Sequence, residues 1–426
     1  MKNMNRVVMV AVLALSFSGL AFSQAAFTAV KVPGASPNSP IAINNGGQVI
    51  VNSGTSDSYQ VSTWGRIGGT ESIGLTGTNS GGTGIDNAGE LVGAADPSHS
   101  GILQAFVWRP TGVVQWLGSL GGELSEANGI GDSGAVVGMA FTATNVQHAF
   151  LWTQAGGMQD LTPDLTSVGG ATALGINSSN QVVGYYYPNG SRIPLGFLWT
   201  EAAGLQNLGV AGTLPFAVNN SGTVVGQSPN GNSLRHAFSW TASGGIKDLG
   251  TLGGSVSSAL GINSRGWIVG TSLTTSKNGL LHGFLWTPAA GMRDFTTVAA
   301  LGANQQAYSA QVNDFGVIAV STNRGGYVLV PTMNAKLASS ANPAKLGQPV
   351  TFTVALTSIA GPPPDGETVQ FSVSGKVVGS GTLAGGFAQF TTSTISLGSH
   401  VIAATYSGDA NYLPIKYTAI TEVIQP

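Results

Sequence analysis

The chain contains no cysteine in 426 residues. Disulfides and a lipidated-cysteine anchor are therefore excluded, and stability must come from packed or closed sheets. Charge is also scarce. Asp, Glu, Lys and Arg make up 8% of the residues, against roughly 25% in ordinary soluble proteins. The net charge is −2, so there is no basic face to attract nucleic acid, and no nucleic-acid partner is expected. There is no Gly-Lys-Ser phosphate loop, nucleophile elbow or calcium loop. Beyond the first residues, no apolar run approaches the ~20 residues that a membrane span needs.

What the chain has in quantity is glycine, with 63 residues, and hydrophobic side chains, at 42%. Few long helix formers accompany them, which favours an all-β, turn-rich protein. Disorder is excluded by the regular return of Val, Ile, Leu and Trp. Residues 1–24 read as a secretory signal. Lys2 and Arg6 precede the apolar run Val7 to Leu15. A smaller mixed tail, Ser16 to Ser23, follows, with cleavage expected after Ser23 or Ala25. Removing Lys2 and Arg6 leaves 14 basic and 18 acidic residues. With no further anchor in view, a released or loosely surface-associated protein is expected.

Three markers then recur in one register. A β-branched residue precedes a turn residue at Ile43-Asn44, Ile85-Asp86, Ile130-Gly131, Ile176-Asn177, Val218-Asn219, Ile262-Asn263 and Val312-Asn313. An apolar pair ending in Gly follows, as at Val137-Gly138, Val183-Gly184, Val225-Gly226 and Val269-Gly270. Trp recurs at 64, 108, 152, 199, 240 and 286, and Tyr327 to Val330 takes its place in the seventh unit. Each unit therefore holds four strand candidates: one before the Asn turn, the Val-Val-Gly run, the aromatic run, and a short strand after a Gly turn.

The aromatic run His148 to Thr153 is apolar on both faces. Two-sided burial means that each sheet is sandwiched between others. Burying a Trp, a Phe and two Val per unit gains several kcal/mol at ~25 cal/mol per Å², but only when units stack. Four strands every ~44 residues fit a seven-bladed β-propeller over residues 26–333. The seventh unit lacks a fourth strand, and Phe27 to Val32 has the right pattern to supply it. That would close the last blade with the N-terminal strand and remove an exposed edge.

Gln147-His148-Ala149-Phe150-Leu151-Trp152, Arg235-His236-Ala237-Phe238, the Gly-Ile-Asn turns and Asp248 to Gly254 resemble the bacterial extracellular HAF-repeat proteins. The resemblance covers about Phe27 to Pro331. It implies secretion and repeat architecture and carries over no catalytic residue. From residue 334 to 426 the pattern changes to about seven short alternating strands, as in a β-sandwich. Gly398-Ser399-His400 and Tyr406 to Tyr412 resemble the bacterial Ig-like repeat domain, which implies a spacer or adhesive module.

His148, His236 and His282 share one register, as do Asp160, Asp248 and Asp294. Equivalent positions on different blades cannot converge on one zinc ion. The histidines are therefore read as structural and the aspartates as solvated turn residues, and neither a metal nor a cofactor is expected. The Asn of each marker is read as the cap of its own hairpin turn, with a ring binding an ion or polar ligand near the axis as the alternative. Asp409 and Asn411 are read as an Asx turn rather than calcium ligands. Glu123, Glu126 and Asp164 are the candidate catalytic carboxylates, on neighbouring loops of one face. Tyr185, Tyr186 and Tyr187 form the candidate ligand-binding cluster, set against packing at the end of a strand.

The composite expectation is a secreted, monomeric, non-catalytic binding or scaffold protein for an extracellular glycan or protein. The alternatives are a propeller hydrolase or lyase acting on extracellular polysaccharide, and a purely structural or adhesive surface protein.

Overall fold

Seven antiparallel sheets follow one another in the order of the seven sequence markers. They are seen in a computed structural model that describes residues 25–39, 41–55, 58–75, 78–166, 169–231, 234–275 and 279–426. The expected leader, residues 1–24, lies outside the described residues. The third sheet is typical, with strands Gly121–Ile130, Val136–Thr142, Gln147–Thr153 and Gly157–Asp160. The seventh contains Ala307–Val312, Ile318–Thr322 and Gly325–Pro331. Its fourth, outer strand is Phe27–Lys31, which pairs antiparallel from Phe27 opposite Pro331 to Lys31 opposite Tyr327.

The first sheet departs from the expected four strands. It has three, Gln48–Thr55, Ser58–Gly65 and Gly69–Ser72, and its inner strand shrinks to one bridge between Ile43 and Val49. Pro37 lies in the interrupted stretch between Ser36, which donates to the Asn52 carbonyl, and Ala42, which accepts from Ile50 N, and proline cannot donate to a ladder.

The second-strand glycine is required by close approach, not by an unusual φ. In the second to sixth sheets the inner strand carries a bulge opposite this glycine. The bulge pushes a carbonyl toward it. A Cβ on Gly138 would lie 2.0 Å from the Glu126 oxygen and 2.9 Å from the Phe150 ring. Gly270 stands in the same relation to Ser258 and Phe284. The extra bulge residue also reaches outward. Thr83 Oγ1 donates to the Ala127 carbonyl (2.7 Å), and Asn128 Nδ2 to that of Ala173 (2.9 Å), each in the next sheet.

The core lies between sheets. Phe150 and Trp152 pack toward the second sheet, with Val92 and Val107. Ala149 and Leu151 pack toward the fourth, with Phe197 and Trp199. Val328 and Val330 of the seventh sheet pack on Val49, Val51 and Trp64 of the first. The arrangement is β-propeller-like.

Two further sheets face each other to form a sandwich in the C-terminal part. One has Asn334–Ser339, Val350–Thr357 and Phe387–Thr392; the other contains Thr368–Val373, Gly398–Tyr406 and Ile415–Gln425. Phe352, Phe371, Ile402 and Tyr406 fill the space between them. No helix among the described residues is long and apolar enough to cross a membrane.

Candidate functional site

The marker asparagines do two jobs at once. Asn177 Oδ1 accepts from Gln181 N at 3.0 Å, which caps its own turn. Its Nδ2 donates to the Asn219 carbonyl of the next sheet, also at 3.0 Å. Asn219 donates onward to Asn263 O (3.0 Å), Asn263 to Asn313 O (2.9 Å), Asn313 to Asn44 O (3.0 Å) and Asn44 to Asp86 O (2.8 Å). Turn capping alone would accept Asp as readily; the onward donation requires an amide. The ring lines a polar cavity of about 200 Å³ to which all seven units contribute. It lacks a side-chain donor at Asp86 and at Gly131. Burial pushes the Asp86 carboxyl up to about 6.

The Ig-like part docks on this face. Asn411 accepts from Asn313 Nδ2 and donates to the Asn45 carbonyl, both at 2.8 Å. Tyr412 stacks edge-on against Phe315 with ring centroids 6.4 Å apart, and its carbonyl accepts from Arg66. Asp409 Oδ1 accepts from the backbone N–H groups of Asn411 and Tyr412, an Asx turn.

The shared-register aspartates are not simply solvated. His148 Nδ1 lies 2.6 Å from Asp160, His236 Nδ1 2.9 Å from Asp248, and His282 Nδ1 2.6 Å from Asp294. Each pair ties the third strand of its sheet to the fourth. His148 Nε2 also meets the Leu165 carbonyl, and His282 Nε2 that of Ala303, so the imidazoles pin the loops to the next sheet. Among the described residues, no group of three or more His, Cys, Asp or Glu could hold a metal ion.

The carboxylate candidates do not meet in one cavity. Glu123 and Glu126 lie on strand Gly121–Ile130, not on a loop. Glu123 is exposed, whereas Glu126 lines a cavity of about 610 Å³ with residues of the N-terminal segment and the second sheet. Asp164 lines a separate groove of about 360 Å³. That groove contains Tyr186, Leu161, Leu165, Leu205, Pro163 and Pro188, with Asn189 as a further polar wall. The three tyrosines divide their roles. Tyr185 and Tyr187 pack edge to face with centroids 6.0 Å apart, while Tyr186 leans on Phe197 and faces the groove. The tyrosine run and the loop acid were each visible in the sequence; their meeting across two neighbouring sheets was not.

The family model of the bacterial Ig-like domain (group 3) matches residues 337–425. The C-terminal part is a bacterial Ig-like domain. The comparison with curated proteins returns no match. Among solved structures, similarity extends to the extracellular domain of a protein described as a hybrid two-component system from B. thetaiotaomicron, at 10% identity and TM-score 0.45. That match covers 92% of this chain and 56% of the other, so the chain spans little more than half of that structure. Streptogramin B lyase is 13% identical with TM-score 0.46, over 73% of this chain and 100% of its own. A gluconolactonase from Xanthomonas campestris is 12% identical with TM-score 0.41, over 71% and 89%. Likeness at this level concerns the fold alone.

Proposed function

We propose that this chain is a secreted, non-catalytic binding protein, a closed seven-bladed propeller of the HAF-repeat type carrying an Ig-like module. Its ligand is an extracellular glycan, held in the groove beside Tyr186. Extracellular placement is supported by the bacterial Ig-like domain. Closure is supported by the packing of the seventh sheet on the first and by the Asn313–Asn44 link. A crystal structure with six or eight sheets around the axis would refute it.

The observation that carries the binding reading is the groove itself. Tyr186, Leu205, Pro163 and Pro188 offer flat apolar surface of the kind on which a pyranose ring stacks. Asp164 and Asn189 stand at its edge to accept or donate hydrogen bonds to hydroxyls. The polysaccharide hydrolase or lyase reading has less support, because Glu126 and Asp164 line different cavities and paired-carboxylate chemistry needs both at one bond. A glycan array probed with the full chain tests the proposal. Binding to a defined glycan class, lost in Tyr186→Ala while the thermal midpoint holds, is the expected result. A blank array would favour a structural or adhesive protein. Turnover of a polysaccharide, lost on changing Glu123 or Asp164, would favour the enzyme.

A further inference from the structure

The cavity of about 610 Å³ differs in kind from the tyrosine groove. It lies where the N-terminal segment Pro37 to Ser39 meets the inner strands of the second and third sheets. Its walls are Ser80, Gly81, Gly82 and Thr83 on one side and Glu126, Ala127 and Asn128 on the other, with Asn52, Ala94 and Leu103 between. Most of its built-in polar groups are already engaged. Asn52 exchanges two bonds with the Gly82 backbone, at 2.8 and 3.0 Å. Thr83 and Asn128 are spent on the links between sheets.

Glu126 is the exception. It is half-buried, and its carboxyl makes no hydrogen bond or ion pair with any described residue. Among the described residues, no Lys, Arg or His lines the cavity, and neither does a second carboxylate. Burial alone pushes the Glu126 carboxyl above its usual range, with no neighbouring charge contributing. Ionised, it is a partly desolvated negative charge without a counterion among the described residues, in a cavity whose volume falls in the ~300–1,000 Å³ range of small-molecule sites. The group that would restore its solvation is a cation brought in from outside, through a charge-assisted hydrogen bond.

We propose that this cavity is a second ligand site, independent of the tyrosine groove, and that it takes a protonated primary amine on a small uncharged polar body, the chemistry of an amino sugar. Glu126 accepts from the ammonium group. Asn38 and Ser39, which also line the cavity, supply polar partners for the hydroxyls. The neutral walls suit a ligand with a single charged end rather than a polycation.

Isothermal titration calorimetry on the full chain at pH 7 tests this with three ligands: the β-1,4 disaccharide of glucosamine, its di-N-acetylated counterpart, and n-butylamine. The free-amine disaccharide is expected to bind. N-acetylation, which removes the charge, should weaken binding by about tenfold or more, as expected for the loss of a charge-assisted bond. Glu126→Gln should weaken the free amine to the same extent, with a thermal midpoint unchanged or raised, because the carboxyl has no partner to lose. Tyr186→Ala should leave this binding within about twofold, which separates the site from the groove. Binding of n-butylamine that also depends on Glu126 would assign the recognition to the ammonium group itself. Absence of free-amine binding, equal binding of the N-acetylated sugar, or binding that needs Tyr186 and not Glu126 would each overturn the assignment.

Discussion

The side-chain amide of Asn313 donates to the backbone carbonyl of Asn44 at 3.0 Å, across 269 positions of sequence. It joins the last repeat to the first with the same bond that joins Asn177 to Asn219, only 42 positions apart. Replacing the amide by a carboxylate keeps the cap and removes the donor. Asn219→Asp should therefore cost about 1–3 kcal/mol, the range for leaving a buried acceptor short of a partner. Asn313→Asp should cost more, because Asn313 Nδ2 also holds Asn411 of the Ig-like domain. Calorimetry of both variants beside wild type checks the order. Equal losses would mean that the link to Asn411 adds nothing.

Asp86 is the converse experiment, already present in the native sequence. It occupies a ring position, is buried, and caps its turn through Glu90 N at 2.8 Å. As a carboxylate it cannot donate onward. Burial raises it to about 6, so its folded-state value lies above that of the unfolded chain. Stability is then fully present below about pH 4 and is lost as the pH rises through about 6. Asp86→Asn removes the charge and supplies an amide for the Gly131 carbonyl. At pH 7.5 the variant should be more stable by about 2–3 kcal/mol, from ~1.4 kcal/mol per pKa unit. Thermal melts at pH 7.5 and pH 4 check this. A gain of the same size at both values would mean that the charge is not its cause.

Gly270 and Gly266 separate two reasons for glycine within one hairpin. A Cβ on Gly270 would lie 2.0 Å from the backbone oxygen of Ser258 and 2.9 Å from the fully buried Phe284 ring. Gly270→Ala should cost about 2–4 kcal/mol, as an overpacked core does. Gly266 sits in the turn at φ +74° with open space around it. Gly266→Ala should cost about 1 kcal/mol, from backbone strain alone. Chemical denaturation of the two variants measures the difference, and equal costs would argue against the close approach.

The repeat period, the two-sided aromatic strand and the N-terminal strand were legible in the sequence because each leaves a hydrophobic pattern. The weak inner strand of the first unit was not foreseen, and four strands were expected there. The partnership of His148 with Asp160 left no such trace. It depends on the register of two strands joined by a turn, and both residues lie on the polar margin of the pattern. The second role of the asparagines was hidden for a related reason: their acceptors are backbone carbonyls one repeat away, and every residue has a carbonyl. The Glu126 cavity is built by six separate stretches of chain, so no local motif announces it. A ring of these residues near the axis was readable as an alternative, but the bonds that link it were not.

Glu422 carries the remaining prediction. It lies on strand Ile415–Gln425 of the Ig-like domain and is fully buried, and neither carboxyl oxygen has a hydrogen-bond partner among the described residues. Burial pushes its carboxyl above the usual range, and a weak interaction with the Ser339 hydroxyl, short of a regular hydrogen bond, opposes this. A carboxyl raised in the folded state contributes stability below its unfolded value and loses it as the pH climbs through the folded one. The Ig-like domain should therefore be weaker at pH 7.5 than at pH 5. Glu422→Gln removes the charge and should raise the unfolding temperature at pH 7.5, with the gain vanishing near pH 4. Glu422→Met also removes the unsatisfied polar atoms. It should stabilise at both values, more at the higher one, because no buried charge or unsatisfied carboxyl then remains. Scanning calorimetry of the full chain reads both variants. A destabilised Glu422→Met would show that this carboxyl is held by a partner the apolar side chain cannot replace.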